Sequence, residues 1–118
     1  MFMQPSSTFH NKLLKKNFVF TAETTPPDSS DKNVLLKKIS SLKDIADAIN
    51  VTDSPGANVH MSSLVASIIL AQNSFEPILQ FTVRDRNRLA LQGDLLGAAA
   101  LGVHNILCLS GDDPSNGD

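Results

Sequence analysis

Four short apolar runs divide the chain at intervals of about 28 residues, the span of one strand-plus-helix unit. This rhythm constrains the fold more than any other feature. The runs cover residues 18–22, 48–52, 77–83 and 104–109. Between them, apolar residues recur at helical spacing: Leu35, Ile39, Leu42 and Ala46, then Met61, Leu64, Val65, Ile68 and Ile69, then Leu89, Leu95, Leu96 and Ala99. Pro26 and Pro27 break the first run, and Ser29, Ser30 and Asp31 are suited to cap the first helix. Asp85 can cap the third, and Gly102 stands where a helix-terminating glycine is expected. The resulting order is βαβαβαβ. Strands apolar on both sides and separated by helices predict a parallel sheet covered on its faces. Right-handed crossovers then bring all strand C-termini to one edge.

A chain of 118 residues has room for one core. Residues 1–17 read as a polar, solvated lead-in and residues 18–118 as a single α/β domain. Hydrophobic residues at 42% and charged residues at 19% fit a globular chain rather than a disordered one. Ten basic against twelve acidic residues leave no basic footprint for nucleic acid, so no nucleic-acid partner is expected. Apolar stretches are too short to span a bilayer, so no membrane partner is expected either. No secretory signal is visible, and the lone Cys108 permits no intrachain disulfide; both suit a cytoplasmic location. Cys108 reads as a small core residue within the fourth strand. His10, His60 and His104 lack metal-ligand spacing, so no metal is expected. Neither a phosphate-cradling loop nor a dinucleotide glycine fingerprint is present.

Two architectures fit the rhythm: an open doubly wound sheet, or the N-terminal half of a (β/α)8 TIM barrel. The placement of polar residues separates them. Glu23, Thr52 and Asp53, Arg84 and Asp85, and Ser110 to Asp112 all fall at or just after strand C-termini. An open sheet concentrates its ligand groups at a switch point, whereas a barrel draws them from many strand ends. The expectation is therefore about four βα units forming the first half of a longer barrel.

Each polar cluster has a functional and a structural reading. Glu23, held ahead of a double proline that fixes the backbone, suits a general acid, though on the motif alone a loop carboxylate that caps a helix or pairs with a lysine is the commoner case. Ser110-Gly111-Asp112 allows a flat ligand to approach closely, or makes an ordinary turn. The segment from Thr52 to Asn58 offers hydroxyls and amides to a polyol or phosphate, or is a long turn. Arg84, Arg86 and Arg88 can hold a diphosphate or carboxylate, or form a solvated helix start.

Five stretches, taken in order, resemble the N-terminal half of the methylenetetrahydrofolate reductase family: FVFTAETTPP from Phe18, INVTDSPGANVHMSS from Ile49, LQFTVRDRNR from Leu79, GDLLGAAALG from Gly93 and NILCLSGDDP from Asn105. The resemblance implies a flavin-carrying (β/α)8 barrel that reduces 5,10-methylenetetrahydrofolate to 5-methyltetrahydrofolate. Hydride would pass from NADH or NADPH through flavin N5, the flavin being FAD, or alternatively FMN. It implies that Glu23 is the general acid and that Asp112 is the carboxylate near flavin and pterin, both touching substrate. Thr52, Asp53, Ala57, Gln80, Ser110, Gly111 and Asp112 match flavin-lining positions. The chain departs from the family pattern at three places: Asp28 and Ser110 stand where arginine is common, and Gln80 where histidine is common. Half a barrel alone is expected to be inactive and to form a homo-oligomer. The alternatives are a pterin-binding barrel methyltransferase without flavin, or a non-catalytic half-barrel partner protein.

Overall fold

The computed structural model describes residues 4–118; residues 1–3 of the expected lead-in lie outside the described residues. Strands β1 (Thr21–Thr24), β2 (Ala48–Val51), β3 (Pro77–Thr82) and β4 (Asn105–Leu109) lie side by side, all parallel, in the order β1-β2-β3-β4. Helices α2 (Lys32–Ile39), α3 (Ser63–Gln72) and α4 (Arg88–Ala100) link successive strands. Asp31 caps α2 through a 2.9 Å bond from the Asn33 amide.

Strand alternation divides the sheet cleanly. Ile49 and Val51 pack with Leu35 and Ile39 of α2 and with Ala66 and Leu70 of α3. Leu79 and Phe81 pack with Ala98 and Val103. Val51 is in register with Leu79, so these side chains share one face, and all three linking helices cover it. A doubly wound sheet reverses its strand order to cover both faces; this sheet runs in sequence and does not. The fold is α/β with a four-stranded parallel sheet, consistent with half of a TIM barrel. Leu35, Ile39, Leu70 and Leu79 are fully buried, and burial of each such side chain contributes about 1.5–3 kcal/mol.

The segment expected to be a solvated lead-in contains a helix, α1 (Thr8–Leu14), capped by Ser7. The Ser7 hydroxyl donates to Asn105 at 2.8 Å, and the Asn105 amide donates to Glu76 at 3.0 Å. Lys12 pairs with Asp47. Asp47, Glu76 and His104 each stand immediately before a strand, so α1 lies against the N-terminal end of the sheet, opposite the rim of strand C-termini.

Several sequence expectations are corrected by packing. The first strand begins at Thr21 rather than Phe18, because its partner β2 begins at Ala48; Phe18 has nothing to pair with and is 89% exposed. In α3 the buried stripe is Ser63, Ala66, Ser67 and Leu70, while Val65 is exposed. The small side chains let this nearly all-apolar helix lie close to the sheet, and the larger ones flank it. In α4 the expected inward leucines face out: Leu89 is 78% and Leu96 74% exposed, and Leu95 and Ala99 are exposed too. Ala98 and the half-buried Leu91 make the contact instead. Asn87 caps α4 in place of Asp85, whose carboxylate is drawn to Arg84. Cys108 is exposed rather than in the core, because no α-helix follows β4 among the described residues to cover it. Gly102 follows the last helical turn at φ 84°, the left-handed conformation expected of it.

Strands β1 and β4 each present an unpaired edge among the described residues, with Leu107 and Leu109 exposed along β4. Unpaired edges beside apolar surface favour association. The 118-residue chain is expected to sediment as a dimer or larger species, in a concentration-dependent manner, in analytical ultracentrifugation. A stable monomer at high concentration would contradict this.

Candidate active site

All four strands deliver polar groups to one rim. Glu23 of β1, Asn50 of β2 and Gln80 of β3 lie on the face away from the linking helices, by the alternation that buries Val51 and Leu79. The Gln80 amide donates to Glu23 Oε2 at 3.2 Å, reaching across the intervening strand. Behind Glu23, Pro26 is buried and the Pro27 carbonyl accepts from the Met61 amide at 2.9 Å. The carboxylate therefore leaves a strand whose exit is tied to the next layer.

A cleft of about 140 Å3 at this rim is lined by Glu23, Thr52, Asp53, Gln80, Gly111 and Asp112, with Pro55, Thr82 and Leu109. Of the residues expected to form the site, these first six come together. Ala57 and Ser110 do not line the cleft. Ala57 sits in the turn Pro55–Ala57, where its carbonyl accepts from the Asp118 amide at 2.9 Å. Ser110 is exposed at the end of β4.

The three acidic residues have different surroundings. Glu23 is exposed to the cleft apart from its bond to Gln80. Asp112 is exposed too, but its Oδ2 accepts from the Gly56 amide at 2.6 Å, which ties the loop after β4 to the loop after β2. Asp53 is buried, and both its oxygens are committed within the protein. Oδ1 accepts from the Ser63 hydroxyl at 2.9 Å. Oδ2 accepts from the Thr82 amide at 2.9 Å, the Thr82 hydroxyl at 3.0 Å and Arg86 Nη1 at 2.5 Å. Burial pushes the Asp53 carboxyl up, but the Arg86 guanidinium and the Thr82 and Ser63 donors together hold it below the ordinary carboxylate value. The Asp53 carboxylate thus fastens the rim.

Thr52 presents the complementary case. It lines the cleft, and its hydroxyl oxygen is buried without a hydrogen-bond partner among the described residues, as are those of Thr24 and Ser67. A buried polar atom left unpaired costs about 1–3 kcal/mol, so a ligand able to pair with it recovers that cost.

The loop after β2 is strained. Ser54, Gly56 and Ala57 all have positive φ, at 44°, 65° and 58°. Non-glycine residues in this region cost energy and collect at functional sites. The loop is held by Arg84, whose Nη2 donates to the Ser54 carbonyl at 3.2 Å and whose Nη1 donates to the Asp112 carbonyl at 3.1 Å. Gly111 makes room for it: a Cβ there would stand 2.9 Å from Arg84 Cβ, and φ is 97°.

Arg84 and Arg86 are thus largely buried connectors rather than the solvated charges that a helix start suggests. The expectation offered them as holders of a diphosphate or carboxylate, or as a solvated helix start; here both hold carboxylates of the chain itself, Arg84 that of Asp85 and Arg86 that of Asp53. Arg86 reaches Asp53 across 33 positions, and Arg84 reaches the Asp112 backbone carbonyl across 28. No local spacing joins such distant positions. Among the described residues no group of His, Cys, Asp or Glu could hold a metal ion, and no helix is long and apolar enough to cross a membrane.

No curated protein matches the chain by sequence. The family model described as methylenetetrahydrofolate reductase matches residues 8–118, from the first residue of α1 through the rim loop after β4. That span holds all four strands and every residue of the cleft, and on this match the chain belongs to the methylenetetrahydrofolate reductase family.

Proposed function

We propose that this rim is the N-terminal half of a flavin-dependent methylenetetrahydrofolate reductase site, in which Glu23 is the general acid. The observation that carries the reading is the cleft itself. It joins an outward-facing carboxylate (Glu23), a second carboxylate across the opening (Asp112) and an unpaired buried hydroxyl (Thr52) within a chain of this family. The four-stranded sheet is read as one half of a (β/α)8 barrel, with the remaining strands supplying the opposite wall.

The donor set fits a flat, polar-edged cofactor such as flavin. Thr52 offers a hydroxyl that lacks a partner, Gln80 an amide, and Gly111 a backbone without a side chain. Thr52, Gln80 and Gly111 would hold it, while Asp53 braces the cleft wall and Ala57 the loop after β2; Ser110 lies outside the cleft. When bound, flavin would relay hydride from a reduced nicotinamide to the folate.

The chain's own residues account for the proton. Opening the five-membered ring of methylenetetrahydrofolate to an iminium requires protonation of the leaving nitrogen. Glu23 stands at the rim with one oxygen, Oε2, engaged by Gln80; the other is free to carry the proton. Asp112, fixed by the Gly56 amide, would place its carboxylate against the cation that develops on ring opening.

Thr52→Val tests the cofactor assignment. Removing an unpaired buried hydroxyl should leave the melting temperature of the ligand-free protein unchanged or raise it. FAD affinity in the assembled enzyme, followed by quenching of flavin fluorescence, should fall about tenfold, the worth of one hydrogen bond in a dry site. Unchanged affinity would remove Thr52 from the cofactor site, and absence of any flavin binding by the unaltered enzyme would favour the methyltransferase or non-catalytic readings.

A further inference from the structure

We propose that Arg84 is a positioning residue for Asp112: it clamps the loops after β2 and β4 so that the Asp112 carboxylate stays fixed over the cleft. The inference rests on the reading of Asp112 as the electrostatic partner of the folate. One guanidinium reaches three elements. Nη1 donates to the Asp112 carbonyl at 3.1 Å, Nη2 to the Ser54 carbonyl at 3.2 Å, and Nε and Nη2 to the Asp85 carboxylate at 3.0 and 2.7 Å. The side chain is only 10% exposed, although it leaves a surface loop. Its planar fork is suited to bridging several acceptors at once, which a lysine ammonium does poorly. The lack of a side chain at Gly111 gives the fork its room.

The two loops that Arg84 joins are also the two joined by the bond from the Gly56 amide to the Asp112 carboxylate. Ser54 lies two positions before Gly56 in the strained turn, and both have positive φ. Securing the Ser54 carbonyl therefore fixes the amide that orients Asp112, while securing the Asp112 carbonyl fixes the residue's own backbone. Both ends of one hydrogen bond depend on a single side chain. Asp85 is exposed and adjacent to Arg84 in the chain, so its bidentate pair orients the guanidinium without tying it to either loop. The work is done by the two carbonyl bonds.

Amide hydrogen exchange on the 118-residue chain tests this without reference to catalysis. In Arg84→Met, exchange at the Gly56 amide should speed up about ten- to a hundredfold, the range for loss of a hydrogen bond to a charged group. The Leu79 amide in the core should keep its rate, and Asp85→Asn should change Gly56 by no more than about twofold. An unchanged Gly56 rate in Arg84→Met overturns the proposal. So does an equal acceleration at Leu79, which would make Arg84 a general stability residue. In the assembled enzyme, the losses in folate reduction from Arg84→Met and Asp112→Asn should be less than additive, because both act through one carboxylate. Full additivity also contradicts the proposal. An inactive unaltered enzyme would refute the functional reading alone and leave the exchange result to decide the role of Arg84.

Discussion

Asp53→Asn should destabilise the fold by about 3–5 kcal/mol, the usual consequence of removing one partner from a buried ion pair. The carboxylate is 6% exposed and receives four donors: Ser63, the Thr82 amide and hydroxyl, and Arg86. An asparagine keeps the volume but leaves the Arg86 guanidinium, 13% exposed and 4.3 Å from the Phe81 ring centroid, with only the more exposed Asp94 carboxylate at 3.3 Å as counter-charge. Replacing both partners by apolar residues, as in Asp53→Leu with Arg86→Met, should recover only part of the loss: it removes the unpaired charge together with the pair but leaves the Ser63 and Thr82 donors without their acceptor. The same network sets a pH dependence. The Asp53 carboxyl lies below its ordinary value in the folded protein, so the unfolded chain binds the proton more readily. The stability it contributes is fully present above about pH 4, the unfolded carboxylate range, and is lost as pH falls through the folded value. Urea denaturation across pH 3 to 7 measures this directly. The slope below pH 4 should shrink in Asp53→Asn; an unaltered slope would assign the acid sensitivity to other groups.

The architecture was readable in the sequence because it rests on repetition. Apolar runs and helical spacing recur, and the sheet follows in the order expected. What was misread depended on partners distant in the chain. The leucines of α4 carry a helical apolar period, yet Leu89 and Leu96 face out because Ala98 and Leu91 are the residues that meet the sheet. Periodicity identifies a face without saying which side of a leucine-rich helix the sheet will take. Phe18 has strong β preference but no strand alongside it. The site divides in the same way. Glu23, Thr52, Gly111 and Asp112 were placed by their strand ends and Gln80 by the family resemblance alone; topology gathers all five at one rim. Asp53 lies at a strand end too, but Arg86, 33 positions away, draws its carboxylate into the wall of the site. No spacing rule reveals a pairing made by folding alone.

The largest functional effect is expected at Glu23. On the proposed function, the change Glu23→Gln preserves size and can keep a hydrogen bond to Gln80, so the cleft and flavin binding there should be retained. The amide cannot deliver a proton of suitable acidity to the leaving nitrogen. Folate reduction should fall by roughly a hundredfold or more, the usual share of general acid catalysis. Reduction of the flavin by nicotinamide needs no such proton and should continue at nearly the unaltered rate. Asp112→Asn should behave differently, disturbing both halves of the reaction, because its charge is felt by cofactor and substrate alike.

Stopped-flow absorbance of the two half-reactions in the assembled Glu23→Gln enzyme therefore tests the central claim most directly. With flavin bleaching by reduced nicotinamide recorded first and its return on mixing with methylenetetrahydrofolate second, the account predicts a normal first trace and a second slowed by roughly a hundredfold or more. Equal slowing of both traces, or a second trace at the unaltered rate, would contradict the assignment of Glu23 as the general acid of this rim.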